Sequence, residues 1–207
     1  YGLGADATND RAVAGIFQAK GRPSFNPLIA HVSGVEMAKH YVVWSDQAQI
    51  LADAFWPGQV SLVLPLKPDC GLSPLVTAEL PSLAVRMPAH TIAARLLSQF
   101  DRPIAAPSAN PSGKISPTTA AHVLDGLNGR IDAVIDGGPC GVGLESTIIG
   151  LLDKPTLLRP VCLPDEVVEA ALALKLHRDT SPDTLIAPGQ MTSHYAPGAS
   201  VRLDATE

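Results

Sequence analysis

The chain has 207 residues, with 46% apolar and 17% charged side chains and a formal net charge of −5. These values indicate a globular protein with a substantial core and exclude a disordered chain. They also argue against a broad basic surface for nucleic acid or anionic membrane, and no apolar segment reaches the length that spans a bilayer.

Predicted helices and strands interleave along the chain. The segment Thr8–Asp10 caps a helix that ends at Gly21, and Ser45 caps a second helix that ends at Pro57. Apolar periodicity predicts further helices over 91–100, 118–127 and 164–174, and strands over 28–32, 60–66, 83–87, 103–106, 131–135 and 146–149. This alternation predicts an α/β sheet fold.

A change in composition near Lys175 predicts the domain organisation. The segment that begins there is polar, carries prolines and lacks periodicity. We therefore predict one main domain over 1–174, an extended linker over 175–198 and the start of a second domain over 199–207. Because Tyr1–Gly4 is typical of the exit from a strand, we also expect a further strand upstream of Tyr1.

The three cysteines are Cys70, Cys140 and Cys162, and none of them has CxxC spacing. An odd number without that spacing argues against a disulfide framework and against a zinc site. Free thiols fit a reducing compartment, so we expect a cytoplasmic protein with no tightly bound metal.

Lys20 and Arg22 lie on either side of Gly21, where the first predicted helix breaks. Across a glycine break the two side chains can converge on one anion, with lysine as a point charge and arginine as a planar fork. The simpler alternative is a solvated helix C-terminus, where basic residues favour the helix dipole. Taken alone, this pair favours the simpler interpretation.

Arg86 stands within an apolar predicted strand, where a charge is costly unless it has a partner. It either pairs with a buried carboxylate or points into a ligand cleft, and the residues alone leave both alternatives open. His31 ends another apolar segment and could face a site, although a lone histidine is more often structural.

The loop over residues 106–114 carries two hydroxyls, an amide and an ammonium group within nine residues, between prolines that hold the backbone extended. Such a loop can bind an anion or a sugar without ordering long side chains. Its Ser108, Asn110 and Ser112, like Ser146 further on, could instead satisfy turn backbones, which is the commoner use of these residues.

The order of these motifs resembles the YrdC-like family, and most closely its threonylcarbamoyl-adenylate synthases. The motifs that carry the resemblance are Lys20-x-Arg22, Pro27-Leu28-Ile29-x-His31, Phe55–Gly58, Val85–Pro88, Ser108-Ala109-Asn110-x-Ser112-Gly113 and Glu145–Thr147. The resemblance covers 1–174 and implies a YrdC-like catalytic domain, with a twisted mixed sheet flanked by helices around a concave basic cleft. Pro188-Gly189 and Ser193–Gly198 resemble the linker of the longer, two-domain form.

The resemblance also implies roles for individual residues. Lys20 and Arg22 would be the catalytic cations against the phosphates of ATP, and Arg86 would grip the carboxylate of threonine. The other residues of the threonine pocket would be His31, Ser108 and Ser146. The remaining nucleotide contacts would be Ser82, Asn110, Thr118 and Arg159, with His194 and Tyr195 of the linker closing over the site.

The implied reaction converts L-threonine, bicarbonate and ATP, with Mg²⁺ on the nucleotide, into threonylcarbamoyl-AMP and pyrophosphate. The product would supply the transferase machinery that modifies the tRNA adenosine beside the anticodon. Two alternatives remain open. One is an RNA-binding module, which the net charge opposes although a weak RNA contact is expected. The other is a carbamoyl-adenylate-forming domain of the hydrogenase-maturation carbamoyltransferase type.

Overall fold

A computed structural model of the protein describes residues 1–178. Its helices are α1 (Asp10–Lys20), α2 (Val35–Tyr41), α3 (Asp46–Phe55), α4 (Pro74–Thr77), α5 (Thr91–Phe100), α6 (Ala120–Leu127) and α7 (Asp165–Leu172). Its strands are β1 (Ala5–Asp6), β2 (Ile29–His31), β3 (Val60–Pro65), β4 (Ser82–Arg86), β5 (Ile104–Ala105), β6 (Thr147–Gly150), β7 (Thr156–Arg159) and β8 (His177–Arg178).

Capping residues begin and end the first helices where the sequence predicts. The Asn9 side chain accepts a hydrogen bond from the amide of Ala12, and Gly21 ends α1 in the left-handed region at φ 61°. The Ser45 side chain accepts from the amide of Ala48 at the start of α3. These caps fix the end of α1, and with it the positions of Lys20 and Arg22.

The eight strands form one mixed sheet in the order β1-β5-β2-β4-β3-β6-β7-β8. The pairs β2/β4, β3/β6 and β7/β8 are parallel, and the other four neighbouring pairs are antiparallel. The predicted α/β class with a mixed sheet is therefore confirmed. Within the described residues, no helix is long and apolar enough to cross a membrane.

The two faces of the sheet differ in what covers them. One face carries the main core, in which buried strand residues such as Val85 and Leu62 pack with residues of α1, α2, α3, α4 and α7. The other face carries a small separate apolar cluster of Ile29, Val63, Ala84, Ile148 and Leu158. Because side chains alternate along a strand, a polar residue two positions from a member of this cluster lies on the same face. We call it the cleft face.

One predicted strand is wrong. Residues 131–135 form no strand and belong to a long irregular segment between α6 and β6. Ile131 and Val134 instead pack against a cluster formed by Ala109, Val123 and Leu127. The apolar residues of this segment pack on α6, and within residues 1–178 no strand pairs with it.

Other boundaries shift by a few residues. The helix predicted over 118–127 begins at Ala120, because the side chain of Thr119 caps it by accepting from the amide of His122. The short elements α2, α4, β1, β7 and β8 were not predicted, since each is too short for its periodicity to stand out. Strand β8 adds residues 177–178, from the segment interpreted as linker, to the edge of the sheet.

Candidate active site

A row of side chains crosses the cleft face at one end of the sheet. His31 of β2 pairs with Arg86 of β4. The register that pairs Val85 with Leu62 brings Arg86 opposite Ser61 of β3, and Ser61 pairs with Ile148 of β6. Residues paired across neighbouring strands project from the same face. Strand pairing alone therefore places His31, Arg86 and Ser61 next to one another.

Arg86 is held by the turn between α3 and β3. Its Nε donates a hydrogen bond to the carbonyl of Gly58 at 2.8 Å. Among residues 1–178 its terminal amino groups have no hydrogen-bond partner, and it makes no ion pair. Burial, and then repulsion from Arg159, lowers the pKa of Arg86. A partly buried guanidinium without a counterion is costly, so this position favours an anionic ligand.

Gly58 makes this turn possible. A Cβ atom at this position would lie 2.2 Å from the carbonyl oxygen of Phe55, which is closer than any side chain can approach. The amide of Gly58 donates to the carbonyl of Met87, and the indole of Trp56 donates to the carbonyl of Val60. The Phe55–Gly58 motif is therefore the support that orients Arg86.

Ser146 forms a second group with Ser61 and Arg159. The hydroxyl oxygens of Ser61 and Ser146 are 2.8 Å apart. The guanidinium of Arg159 donates twice to Ser146, from Nε to its carbonyl at 2.9 Å and from Nη2 to its hydroxyl at 3.0 Å. Ser146 is thus held from two strands at once, although it stands just before β6.

Hydrogen bonds from Cys162 and Leu163 hold the start of β6 in place. The hydroxyl of Thr147 accepts from the amides of Cys162 and Leu163 at 3.0 and 2.9 Å. The thiol of Cys162 donates to the carbonyl of Glu145 at 2.8 Å. Burial raises the pKa of this thiol, while the positive charge of Arg86 opposes the shift. Cys162 therefore acts here as a neutral donor that holds the Glu145–Thr147 segment.

His31 is neutral at physiological pH. Burial, followed by repulsion from Arg86, lowers the pKa of His31 to about 4. Its Nδ1 atom is buried and has no hydrogen-bond partner among the described residues. A buried ring nitrogen without a partner is costly, so this atom is available to a polar ligand.

The low pKa of His31 predicts a loss of stability in acid. Because the unfolded chain takes up this proton near pH 6.5 and the folded chain near pH 4, folding becomes less favourable as the pH falls between these values, by at most about 3 kcal/mol. We expect His31→Gln to remove this part of the pH dependence. Urea unfolding of both proteins from pH 7.5 to 4.5 measures it, and equal pH slopes would contradict the prediction.

Lys20 is the last residue of α1 and is buried, with 3% of its surface exposed. Its ammonium group donates to the carbonyls of Ser108 and Asn110, both at 2.5 Å. Burial, and then repulsion from Arg22, lowers the pKa of Lys20 to about 8. An ammonium group has three hydrogens, so one remains for a ligand. The carbonyl of Lys20 in turn accepts from the amide of Ser112.

Arg22 and Ser82 lie near the starts of β2 and β4, whereas His31 and Arg86 end these strands. Arg22 donates from Nε and Nη2 to the carbonyls of Asn26 and Pro27. Pro27 precedes His31 by four residues, and Ser82 precedes Arg86 by four residues on the same face of β4. Four residues of strand span about 13 Å, so the two ends of the cleft face are separated by roughly that distance.

The comparisons with known proteins agree on one family. Residues 1–160 match the Sua5/YciO/YrdC family, described as telomere recombination. Two curated relatives are threonylcarbamoyl-AMP synthases, from Bacillus subtilis at 46% identity over 98% of this chain and from Pyrococcus abyssi at 47% identity over 97%. The chain belongs to the Sua5/YciO/YrdC family. It spans about 60% of the length of these two relatives.

A solved member of the Sua5/YciO/YrdC family supports the same assignment. The crystal structure of P. abyssi Sua5 complexed with L-threonine has a TM-score of 0.91 and 46% identity to this chain, and the match covers 96% of this chain and 60% of that one. The predicted fold and family are therefore confirmed. The names of these relatives do not favour the RNA-binding or hydrogenase-maturation alternatives.

The structure brings most of the predicted site residues together in two groups. Arg86 stands with His31 in the row, and Ser146 is joined to that row through Ser61. Lys20 contacts the backbone of Ser108 and Asn110, so Ser108, which was predicted for threonine, stands with Lys20. The roles given to these residues by family resemblance stay predictions.

Thr118 and Arg159, two of the predicted nucleotide contacts, have neighbours other than Lys20. Thr118 lies just before α6, where its hydroxyl is 3.3 Å from Nδ1 of His122. Arg159 contacts Ser146, so it stands on the side predicted for threonine. His194 and Tyr195 lie outside the described residues.

Sequence reasoning missed Ser61 and Cys162, and gave no task to Gly58 within its motif. Ser61 could have been found, because a hydroxyl within the apolar segment Val60–Leu64 is the same signal that singled out Arg86. Cys162 carried no signal, since its contact to Glu145 depends on how β6 and β7 pair.

Proposed function

We propose that this chain forms threonylcarbamoyl-AMP and pyrophosphate from L-threonine, bicarbonate and ATP. The observation that carries the proposal is the row of His31, Arg86 and Ser61, which places a guanidinium that has no counterion among residues 1–178 beside two uncharged polar groups on one sheet face. A relative at 46% identity with nearly the same fold has been solved with L-threonine.

The proposed chemistry needs no covalent enzyme intermediate. The neutral amine of threonine attacks carbon dioxide derived from bicarbonate and loses a proton, which gives a carbamate. A carbamate oxygen then attacks the α-phosphorus of ATP, and the bond between that phosphorus and the bridging oxygen breaks to release pyrophosphate. Such a reaction is accelerated chiefly by positioning the reactants and neutralising charge on the phosphates.

Two groups of side chains suit the two halves of this reaction. Arg86 would bind the threonine carboxylate through its terminal amino groups, with His31 and Ser146 as further contacts, and Arg159 stands beside Ser146. Lys20 and Arg22 would face the phosphates, with Ser82, Asn110 and Thr118 on the nucleotide side. Ser108 would contact threonine from the Lys20 side, since its carbonyl accepts from that ammonium group.

ATP would enter as its Mg²⁺ complex, so the metal is part of the substrate in this proposal. The product carries an activated carbonyl, which a transferase would pass to the tRNA adenosine beside the anticodon. We expect that transferase machinery to be the partner of this chain, and we expect both in the cytoplasm. Any direct contact of this chain with RNA would be weak.

The composition of the product tests the proposal. We expect the full chain, given ATP labelled at the α-phosphate and ¹⁴C-bicarbonate, to form one species that carries both labels, and only when threonine is present. Separation by thin-layer chromatography measures it, with serine in place of threonine as the control. Labelled AMP without bound ¹⁴C would contradict the proposed reaction, because it indicates hydrolysis.

A further inference from the structure

Two groups, Ser61 and Arg159, meet at the hydroxyl of Ser146, and the function proposed above gives Ser61 no contact with a substrate. Ser61 is completely buried, and 2% of the surface of Ser146 is exposed. The Ser61 hydroxyl lies 2.8 Å from that of Ser146, which is its hydrogen-bond partner among the described residues. Arg159 donates to the same Ser146 hydroxyl at 3.0 Å.

The donor inventory fixes the direction of the hydrogen bond from Arg159 and favours one direction for the bond between the two serines. A guanidinium only donates, so the Ser146 oxygen accepts from Arg159. The Ser61–Ser146 bond can run in either direction by geometry. If Ser146 donated, the proton of the completely buried Ser61 would have no acceptor among the described residues, which is costly, whereas the proton of Ser146 can be accepted by a ligand. The favourable arrangement has Ser61 donating to Ser146. Both acceptor positions of the Ser146 oxygen are then occupied, and its own proton remains.

We propose that Ser61 is a positioning residue that makes the hydroxyl of Ser146 an obligate donor to the ligand. With both acceptor positions occupied, Ser146 can bind only an acceptor, such as an oxygen of a carboxylate or a carbamate. It cannot accept from a protonated amine. Donation by Arg159 and Ser61 also polarises the hydroxyl, which strengthens its bond to an anion. The inference rests on the proposed function, since it identifies threonine or its carbamate as that anion.

A double-mutant cycle in threonine affinity tests the inference. We expect Ser146→Ala to weaken threonine binding by about ten- to a hundredfold, because a hydrogen bond to a charged group is lost. Ser61→Ala should weaken it by about three- to tenfold, since Ser146 keeps its hydroxyl but loses the partner that directs it. In the Ser146→Ala background, Ser61→Ala should have no further effect. Calorimetric titration of the full chain with threonine measures all four proteins.

Two further variants separate positioning from packing. Ser61→Thr keeps the hydroxyl on a residue type that strands favour, so it should restore threonine affinity to within about twofold of the wild type. Ser73 is a matched control, because it is also a buried serine, 2% exposed, and its hydroxyl has no partner among the described residues. Ser73→Ala should leave threonine affinity unchanged.

The outcomes distinguish this inference from the proposed function. If the effects of Ser61→Ala and Ser146→Ala multiply, or if Ser61→Ala alone changes nothing, the inference is wrong while the proposed function stands. If the wild type binds threonine but forms no pyrophosphate, the proposed reaction fails and the cycle still decides the role of Ser61. If the wild type does not bind threonine, both are overturned.

Discussion

Arg86→Ala is expected to lower kcat/KM for threonine by at least about a hundredfold, because two hydrogen bonds to a carboxylate are lost from a partly buried site. Arg86 is oriented by the carbonyl of Gly58, so its terminal amino groups are directed as a fork before any ligand arrives. The loss should be specific to threonine, and the affinity for ATP should change by less than about threefold. Pyrophosphate release at varied threonine concentration measures the effect.

Two other variants show whether the fork or the charge is responsible. Arg86→Lys keeps the charge but not the planar geometry, so its kcat/KM should fall between those of the wild type and Arg86→Ala. Arg95→Ala removes an equal charge from the exposed surface of α5 and should have wild-type activity. A similar loss in Arg95→Ala would mean that the net charge of the protein, rather than a carboxylate site, governs threonine use.

Gly58→Ala is expected to destabilise the protein and to impair threonine binding together. The added Cβ would lie 2.2 Å from the carbonyl oxygen of Phe55, so the turn must move, and forced rearrangements of this kind cost about 1 to 3 kcal/mol. Moving the turn also moves the carbonyl that holds Arg86. Urea unfolding gives the loss of stability, and the KM for threonine gives the loss of orientation.

Gly15→Ala is the matched control for that substitution. Gly15 lies on the exposed side of α1, and a Cβ atom there meets nothing within 4 Å. Alanine is the better helix former, so this variant should be more stable by about 0.5 to 1 kcal/mol, with unchanged activity. If Gly58→Ala behaved like Gly15→Ala, the turn would not be the support of Arg86.

The sequence predicts those parts of the fold that are specified locally. The end of α1 at Gly21 and the start of α3 at Ser45 were predicted correctly, because a left-handed glycine and an N-cap serine act within one turn of helix. The segment 131–135 failed because strand formation depends on a partner edge, which lies elsewhere in the chain and leaves no mark on the local pattern.

The same distinction applies to the site. Arg86 could be singled out from the sequence because a charge in an apolar strand requires an explanation. Its neighbours His31 and Ser61 come from strands far apart in the chain, and only the parallel register of β2 with β4 and the antiparallel register of β3 with β4 bring them beside it. Lys20 was predicted as a cation for phosphates, whereas its hydrogen bonds to two loop carbonyls could not be foreseen.

The dependence of pyrophosphate formation on threonine is the measurement that tests the proposed function most directly. The full chain is incubated with ATP, Mg²⁺ and bicarbonate, with threonine present or withheld, and pyrophosphate is measured by a coupled assay. We predict pyrophosphate only when threonine is present, and none above background in Arg86→Ala. Pyrophosphate formed equally without threonine, or unchanged in Arg86→Ala, would contradict the assignment of the cleft face to threonine.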